Sequence, residues 1–196
     1  AISENPGNES FIRYAQKNHL KFVFGSDKDV LKRLIIGAQY VNANIIFRTT
    51  PENPFIYWEK IDDVLNKHID GNFDFSVIED IPLGCGYEVI NLDALEKSHK
   101  FGKDKHRSEL CSLYIHEHQK SFKINRFMPE KSLQRPEIRL TVDNPEDLMV
   151  VRKIYEKLGQ GKKPVYLKKI IDFLDMNKEI SKINSHILPG KSRIWD

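Results

Sequence analysis

The sequence predicts an α/β fold with a largely parallel sheet, and three observations predict it. Short β-rich runs alternate with longer apolar stripes at helical spacing along the chain. The 196 residues, 40% hydrophobic and 30% charged, have the balance of one globular domain with a sizeable core. Polar clusters fall just after strands, where open α/β sheets bind their ligands.

Residues 1–3 read as the end of a strand. The turn Glu4, Asn5, Pro6, Gly7 leads from it into a short helix carrying Phe11, Ile12 and Ala15. A strand over 21–24 ends where Gly25, Ser26 and Asp27 break it. Val30, Leu31, Leu34, Ile35, Ala38 and Val41 then recur at helical spacing, the clearest amphipathic helix in the chain. A strand over 44–48 and a polar loop through Pro54 precede a helix with Ile61, Val64, Leu65, His68 and Ile69 on one side. Strand 73–78, a loop marked by Pro82, Gly84 and Gly86, and strand 87–91 follow. Two short helices, around Ala94 and over 110–114, lead to strands over 122–127 and 138–142. A long helix begins at Pro145 with the stripe Leu148, Val151, Ile154, Tyr155 and Leu158. Residues 159–164 read as a linker, because glycine frees the backbone and Pro164 ends any helix. Leu167, Ile170, Ile171 and Leu174 make one more helix before a polar tail. The expected organisation is one domain over 1–158 with a linker and helical extension over 159–196.

Composition narrows the function classes. A net charge of +3, with basic residues scattered along the chain, argues against a dedicated nucleic-acid binder. Cys85 and Cys111 stand apart without ligand spacing, so neither a disulfide framework nor a zinc site is indicated, and a reducing cytoplasm is the simpler setting. No apolar run approaches the roughly 18 residues that span a bilayer, and no signal sequence opens the chain. A cytoplasmic protein with no membrane partner is expected.

Four places hold residues suited to chemistry. At Gly25, Ser26 and Asp27, Ser26 reads as a helix cap with Asp29 completing a capping box. The alternative is that the same helix start, with Arg33 a turn further in, grips a polar nucleotide group. After the next strand come Arg48, Thr49, Thr50, Pro51, Glu52, Asn53 and Pro54. This is an ordinary proline turn, or a stiff loop holding Glu52 and Asn53 at the sheet's edge, a place for a hard oxygen ligand to Mg2+. In the run Arg139, Leu140, Thr141, Val142, Asp143, Asn144, Pro145, Asn144 and Pro145 suit the start of a helix, and Glu146 and Asp147 suit its dipole. Asp143 is spare from capping and suits a second metal ligand. The fourth place runs from 82–88 to 105–109, where small residues such as Gly84 and Gly86 before Glu88 allow close approach and Arg107 suits a carboxylate or phosphate. By residue type alone it is a surface loop followed by a solvated helix start. His116 and His118, two apart on a helix, point to different faces and do not suit a metal.

In this order, these places resemble the cytidylyltransferase family of spore-coat polysaccharide type, related to the 3-deoxy-manno-octulosonate and acylneuraminate cytidylyltransferases. The most specific match is Leu140, Thr141, Val142, Asp143, Asn144, Pro145, Glu146, Asp147, Leu148, where family members typically carry threonine at the Asn144 position. The resemblance covers roughly residues 1–158 and implies a nucleotide-diphospho-sugar transferase-like three-layer α/β/α sandwich with a mostly parallel sheet. It also implies a CTP-dependent transfer to a sugar acid, sugar phosphate or phosphorylated small metabolite for surface polysaccharide synthesis, with release of pyrophosphate. On this resemblance Arg48, Glu52 and Asp143 are catalytic, with Glu52 and Asp143 holding Mg2+. Gly25, Ser26 and Arg33 lie on the nucleotide side, Glu88, Arg107 and Arg139 face the acceptor, and the enzyme is a homodimer.

Two departures stand out. Family members usually have aspartate after glycine where this chain has Pro51 and Glu52. The basic glycine-rich loop and strand with which the family opens are not among these residues, so the domain is expected to be incomplete at its N-terminus. The competing expectation is a non-catalytic binding or assembly module, or an inactive fragment.

Overall fold

The computed structural model describes residues 1–159, 161, 163–188 and 194–195. In chain order the elements are β1 (Ile2–Ser3), α1 (Glu9–Lys17), β2 (Phe24–Gly25), α2 (Val30–Tyr40), β3 (Ile45–Arg48), α3 (Ile61–Asp70) and β4 (Phe75–Ile78). They continue as β5 (Glu88–Asn91), α4 (Leu92–Phe101), α5 (Leu113–Glu117), β6 (Ile124–Phe127), α6 (Pro145–Leu158), α7 (Leu167–Met176) and α8 (Lys178–Ser181). The strands form a two-stranded sheet, β1-β2, and a four-stranded sheet in the order β3-β5-β4-β6. Both β1-β2 and β4-β6 are parallel. All four residues of β4 are buried, as expected of a strand covered on both faces.

The chain divides into two compact units, Ala1–Ile46 with Ile90–Lys123, and Phe47–Val89 with Ile124–Asp196. In the first, Leu31, Ile35 and Ala38 recur on one face of α2 and are buried, with α2 lying on β2 and against α4. A fully buried leucine such as Leu31 contributes about 1.5–3 kcal/mol over an exposed one. The strand expected over 21–24 is shorter and later. Its partner β1 is only two residues long, so the ladder closes on Phe24 and Gly25, with two flanking bonds, the Ile2 amide to the Val23 carbonyl at 2.9 Å and the Glu4 amide to the Gly25 carbonyl at 3.1 Å.

In the second unit α3 packs on β4. There His68, 1% exposed, bonds Ser76 Oγ through Nδ1 at 2.8 Å, and Asn125 donates to the same oxygen at 3.3 Å. This polar pocket in the core is thereby hydrogen-bonded. Leu167, Ile170, Ile171 and Leu174 of α7 are all buried, as their spacing predicts.

Three expectations are corrected in this unit. The buried face of α6 is Asp147, Val150 and Ile154, whereas Leu148 and Tyr155 are exposed. The helix is rotated from its apolar stripe because Asp147 is drawn inward by Arg139. Residues 138–142 are not a strand but an extended run making one parallel bridge, Leu83 with Arg139. Three backbone bonds tie that run down, Leu83 to Ile138, Leu140 to Leu83 and Val142 to Glu52, at 2.8–2.9 Å. The tail is not wholly polar in its packing, since Trp195 is buried and stacks on Phe75 with ring centroids 4.7 Å apart. Within the expected linker, Gly159 caps α6, while residues 160 and 162 lie outside the described residues.

Candidate active site

In the first unit, the turn between β2 and α2 is built from local hydrogen bonds. Ser26 Oγ accepts from the amides of Lys28 and Asp29 at 3.2 Å each. The helix cap is Asp29 rather than the expected Ser26: its Oδ1 accepts from the Lys32 amide at 2.8 Å. The serine hydroxyl stabilises the turn that brings Asp29 into the capping position. Arg33 folds back, and its Nη1 donates to the Ser26 carbonyl at 2.7 Å. A Cβ on Gly25 would come within 3.1 Å of Arg33 Cγ, so glycine lets the arginine stem lie against the strand. Gly25, Ser26 and Arg33 are thus gathered in one turn.

The other oxygen of Asp29 receives His99 Nε2 at 2.8 Å. Arg107 Nε lies 3.8 Å from that same oxygen, within ion-pair range but too far for a hydrogen bond, and it has no hydrogen-bond partner among the described residues. Its Nη1 is held by Asp104 at 2.9 Å.

In the second unit, Arg48 at the end of β3 and Glu88 at the start of β5 form an ion pair at 2.6 Å, both largely buried. The pair lines a cavity of about 180 Å3. Thr49, Thr50 and Asn53 supply further polar groups to it, while Ile81, Pro82 and Leu83 supply apolar ones. Gly84, also on the wall, sits at φ +91°, and a Cβ there would come within 2.5 Å of the Thr141 amide nitrogen. The loop therefore needs glycine, for conformation and for contact with the run that leads to Asp143. Tyr87, another lining residue, is buried with its hydroxyl lacking any partner among the described residues. Burial, reinforced by the charges of nearby acidic residues, pushes its ionisation well above the usual tyrosine range.

Glu52 and Asp143 are joined through their backbones, because the Val142 amide donates to the Glu52 carbonyl at 2.9 Å. The Glu52 carboxylate has no hydrogen-bond partner among the described residues. Asp143, half exposed, gives only Oδ2 to Arg139 Nη2 at 2.6 Å. Arg139, 8% exposed, otherwise forms a two-pronged pair with Asp147, Nε to Oδ1 at 2.8 Å and Nη2 to Oδ2 at 3.0 Å. Asp147 is fully buried and also accepts from the amides of Asp143 and Asn144 and from the side chains of Asn144 and Asn184. Burial opposes its ionisation, yet the bonds from Arg139, Asn184, Asp143 and Asn144 outweigh that and hold the carboxyl well below the usual range.

Asp147 is the residue that sequence reasoning undervalued, having read it only as a helix-dipole charge. An acidic residue at the third helical position, with an arginine in the extended run before it, is the available signal. Thr49, Thr50 and Asn53 belong to the loop that the sequence marks after β3, whereas Trp195 carries no comparable signal. Among the described residues no group of three or more histidine, cysteine or acidic side chains is gathered as for a metal, and no helix is long and apolar enough to cross a membrane.

Residues 10–180 match the family model described as Cytidylyltransferase. The chain belongs to the cytidylyltransferase family. It is therefore of nucleotidyltransferase type, as the ordered motifs implied. The uncharacterized protein MJ1063 of Methanocaldococcus jannaschii is 36% identical over 163 residues, 83% of this chain and 66% of that relative. The spore coat polysaccharide biosynthesis protein SpsF of Bacillus subtilis is 27% identical over 180 residues, 91% of this chain and 75% of SpsF. A solved cytidylyltransferase from Leptospira borgpetersenii serovar Hardjo-bovis superposes with a TM-score of 0.83 at 22% identity, covering 91% of this chain and 76% of that one. The α/β fold of this cytidylyltransferase-family chain is thus that of the solved protein. The chain spans about two thirds of the length of the Methanocaldococcus relative.

Proposed function

We propose that the protein carrying this chain transfers the cytidylyl group of CTP to an oxygen of an acidic or phosphorylated small molecule, as a step towards a surface polysaccharide. An acceptor oxygen, from a phosphate or a sugar-acid hydroxyl, bonds to the α-phosphorus. The bond from that phosphorus to the bridging oxygen breaks, pyrophosphate leaves, and a hydroxyl acceptor also releases its proton. Such a transfer depends mainly on positioning and on neutralising charge.

The observation that carries this reading is the 2.9 Å bond between the Val142 amide and the Glu52 carbonyl, which makes neighbours of two loops each bearing a carboxylate with spare oxygens. Two hard oxygen donors fit Mg2+, which takes one or two carboxylates and completes its shell with water and substrate phosphates. Glu52 and Asp143 would hold it, and when bound it supplies positive charge to the triphosphate. Arg139 orients Asp143 through its 2.6 Å bond and, with Glu88, is assigned to the acceptor side. In the other unit, Arg107 is proposed as a partner for a carboxylate or phosphate. Arg48 supplies a cation beside Glu88 in the cavity. Gly25, Ser26 and Arg33 are assigned to the nucleotide. Family membership and the likeness to SpsF support the CTP and polysaccharide parts of the reading. A cytoplasmic homodimer accords with the same resemblance.

The test is pyrophosphate release by the complete natural protein given CTP, Mg2+ and a panel of sugar acids, sugar phosphates and phosphorylated non-sugar metabolites. Turnover with one acceptor class is expected. Absence of turnover with every acceptor, together with no calorimetric binding of CTP, contradicts the proposal and favours a binding or assembly module.

A further inference from the structure

We propose that Ile194 and Trp195 form a specificity-determining wall of the cavity beside Arg48 and Glu88, limiting its acceptor to a compact polar molecule. The inference rests on the reading of that cavity as the acceptor site.

Both residues line the cavity, opposite in character to the polar groups of Arg48, Thr49, Asn53 and Glu88. Trp195 is only 8% exposed. Its ring is stacked on Phe75 at 4.7 Å and 25°, and the Arg126 guanidinium lies 5.4 Å from its centroid. Phe75 and Arg126 belong to paired strands, with Phe75 opposite Ile124 and Val77 opposite Arg126 in register. The same face of β4 therefore anchors the indole through Phe75 and contributes Val77 to the cavity wall. A stacked aromatic pair of this kind holds the indole by more than the area it buries. The wall is thus fixed by the core of the unit and does not need a ligand to take its position, which is the condition for selecting by shape.

Size sets what the wall selects. At about 180 Å3 the cavity lies below the roughly 300–1,000 Å3 of pockets for drug-sized ligands. One face is polar with a buried ion pair and the other is aliphatic and aromatic, so the occupant is a short molecule with an anionic or hydroxylated end. An acceptor with a longer carbon chain meets Trp195.

The experiment compares the complete natural protein with its Trp195→Ala, Trp195→Phe and Ile194→Ala forms. Pyrophosphate release is followed with CTP and an acceptor series of phosphorylated polyols and sugar acids from three to nine carbons. Trp195→Ala is expected to lower kcat/KM for the best short acceptor at least tenfold, mainly through KM. It should shift preference towards longer acceptors and leave the KM for CTP unchanged. Trp195→Phe, which keeps the stack on Phe75, should restore most of the selectivity. Ile194→Ala should shift it in the same direction as Trp195→Ala by a smaller factor, and keeps the test informative if Trp195→Ala fails to fold. If the ratio of kcat/KM between short and long acceptors stays within twofold of wild type in every folded variant, the inference is overturned while the transferase reading stands. Absence of turnover by the wild-type protein overturns that reading and the inference with it.

Discussion

The two helix starts that the sequence marks as functional, those of α2 and α6, use the same residue types in opposite ways. At α2 the cap is Asp29, partly exposed, whose two oxygens go to the Lys32 amide and to His99. At α6 the capping box is closed by Asp147, fully buried, which also anchors Arg139 and Asn184. The first junction thus makes one carboxylate serve as helix cap and tertiary contact together. The second separates the tasks, placing structure on Asp147 and leaving Asp143 half exposed with an oxygen unengaged. A carboxylate just before a helix keeps an oxygen unengaged where another acidic residue has taken over the structural role.

The largest expected effect follows from that division. Asp147→Ala leaves the buried Arg139 with only the half-exposed Asp143 and empties the capping box, and should cost about 3 kcal/mol in urea unfolding. The same substitution should flatten the acid limb of stability. Because the folded Asp147 carboxyl titrates below its unfolded value of about 3.9, its contribution is complete above that pH and is lost as pH falls through the folded value. Wild type should therefore lose stability more steeply than the variant below about pH 4.

Next in size is Gly84→Ala, which forces a positive φ on alanine against the Thr141 backbone. About 1–3 kcal/mol is expected from conformation alone, read from the unfolding midpoint. At the other junction Asp29→Ala should cost only about 1 kcal/mol, since it removes a cap and leaves no buried charge. If Asp29→Ala proves as costly as Asp147→Ala, the contrast between the junctions fails. Smallest is Tyr87→Phe, which removes a buried hydroxyl without a partner. Equilibrium unfolding should show it neutral or stabilising by up to about 1 kcal/mol.

Much of this was legible in the residues. Periodicity alone located α2 and α7, because Leu31, Ile35 and Ala38, and Leu167, Ile170, Ile171 and Leu174, are apolar positions that are in fact buried. It misplaced the inner face of α6 because an apolar count cannot foresee a carboxylate drawn inside by a guanidinium. Residues 138–142 have strand composition, but strand assignment needs a continuous partner, and this run bonds Leu83 and then Glu52 rather than one ladder. That same departure joins the Glu52 and Asp143 loops. Individual candidate residues could be named from their positions after strands. Their allocation, with Arg139 bound to Asp147 and Asp143 left partly open, depends on how side chains four and eight residues apart pair and on Asn184, which reaches Asp147 from far along the chain. Trp195 was hidden for the same reason, since nothing adjacent to it in the chain announces Phe75.

The separation of structural and chemical carboxylates is tested most directly by Asp143→Asn in the complete natural protein. Mg2+-dependent pyrophosphate release and the urea midpoint should be measured on one preparation. The half-exposed pair with Arg139 is worth no more than about 1 kcal/mol, so stability should change little while release of pyrophosphate falls to background. Unchanged turnover in a folded Asp143→Asn protein would contradict the assignment.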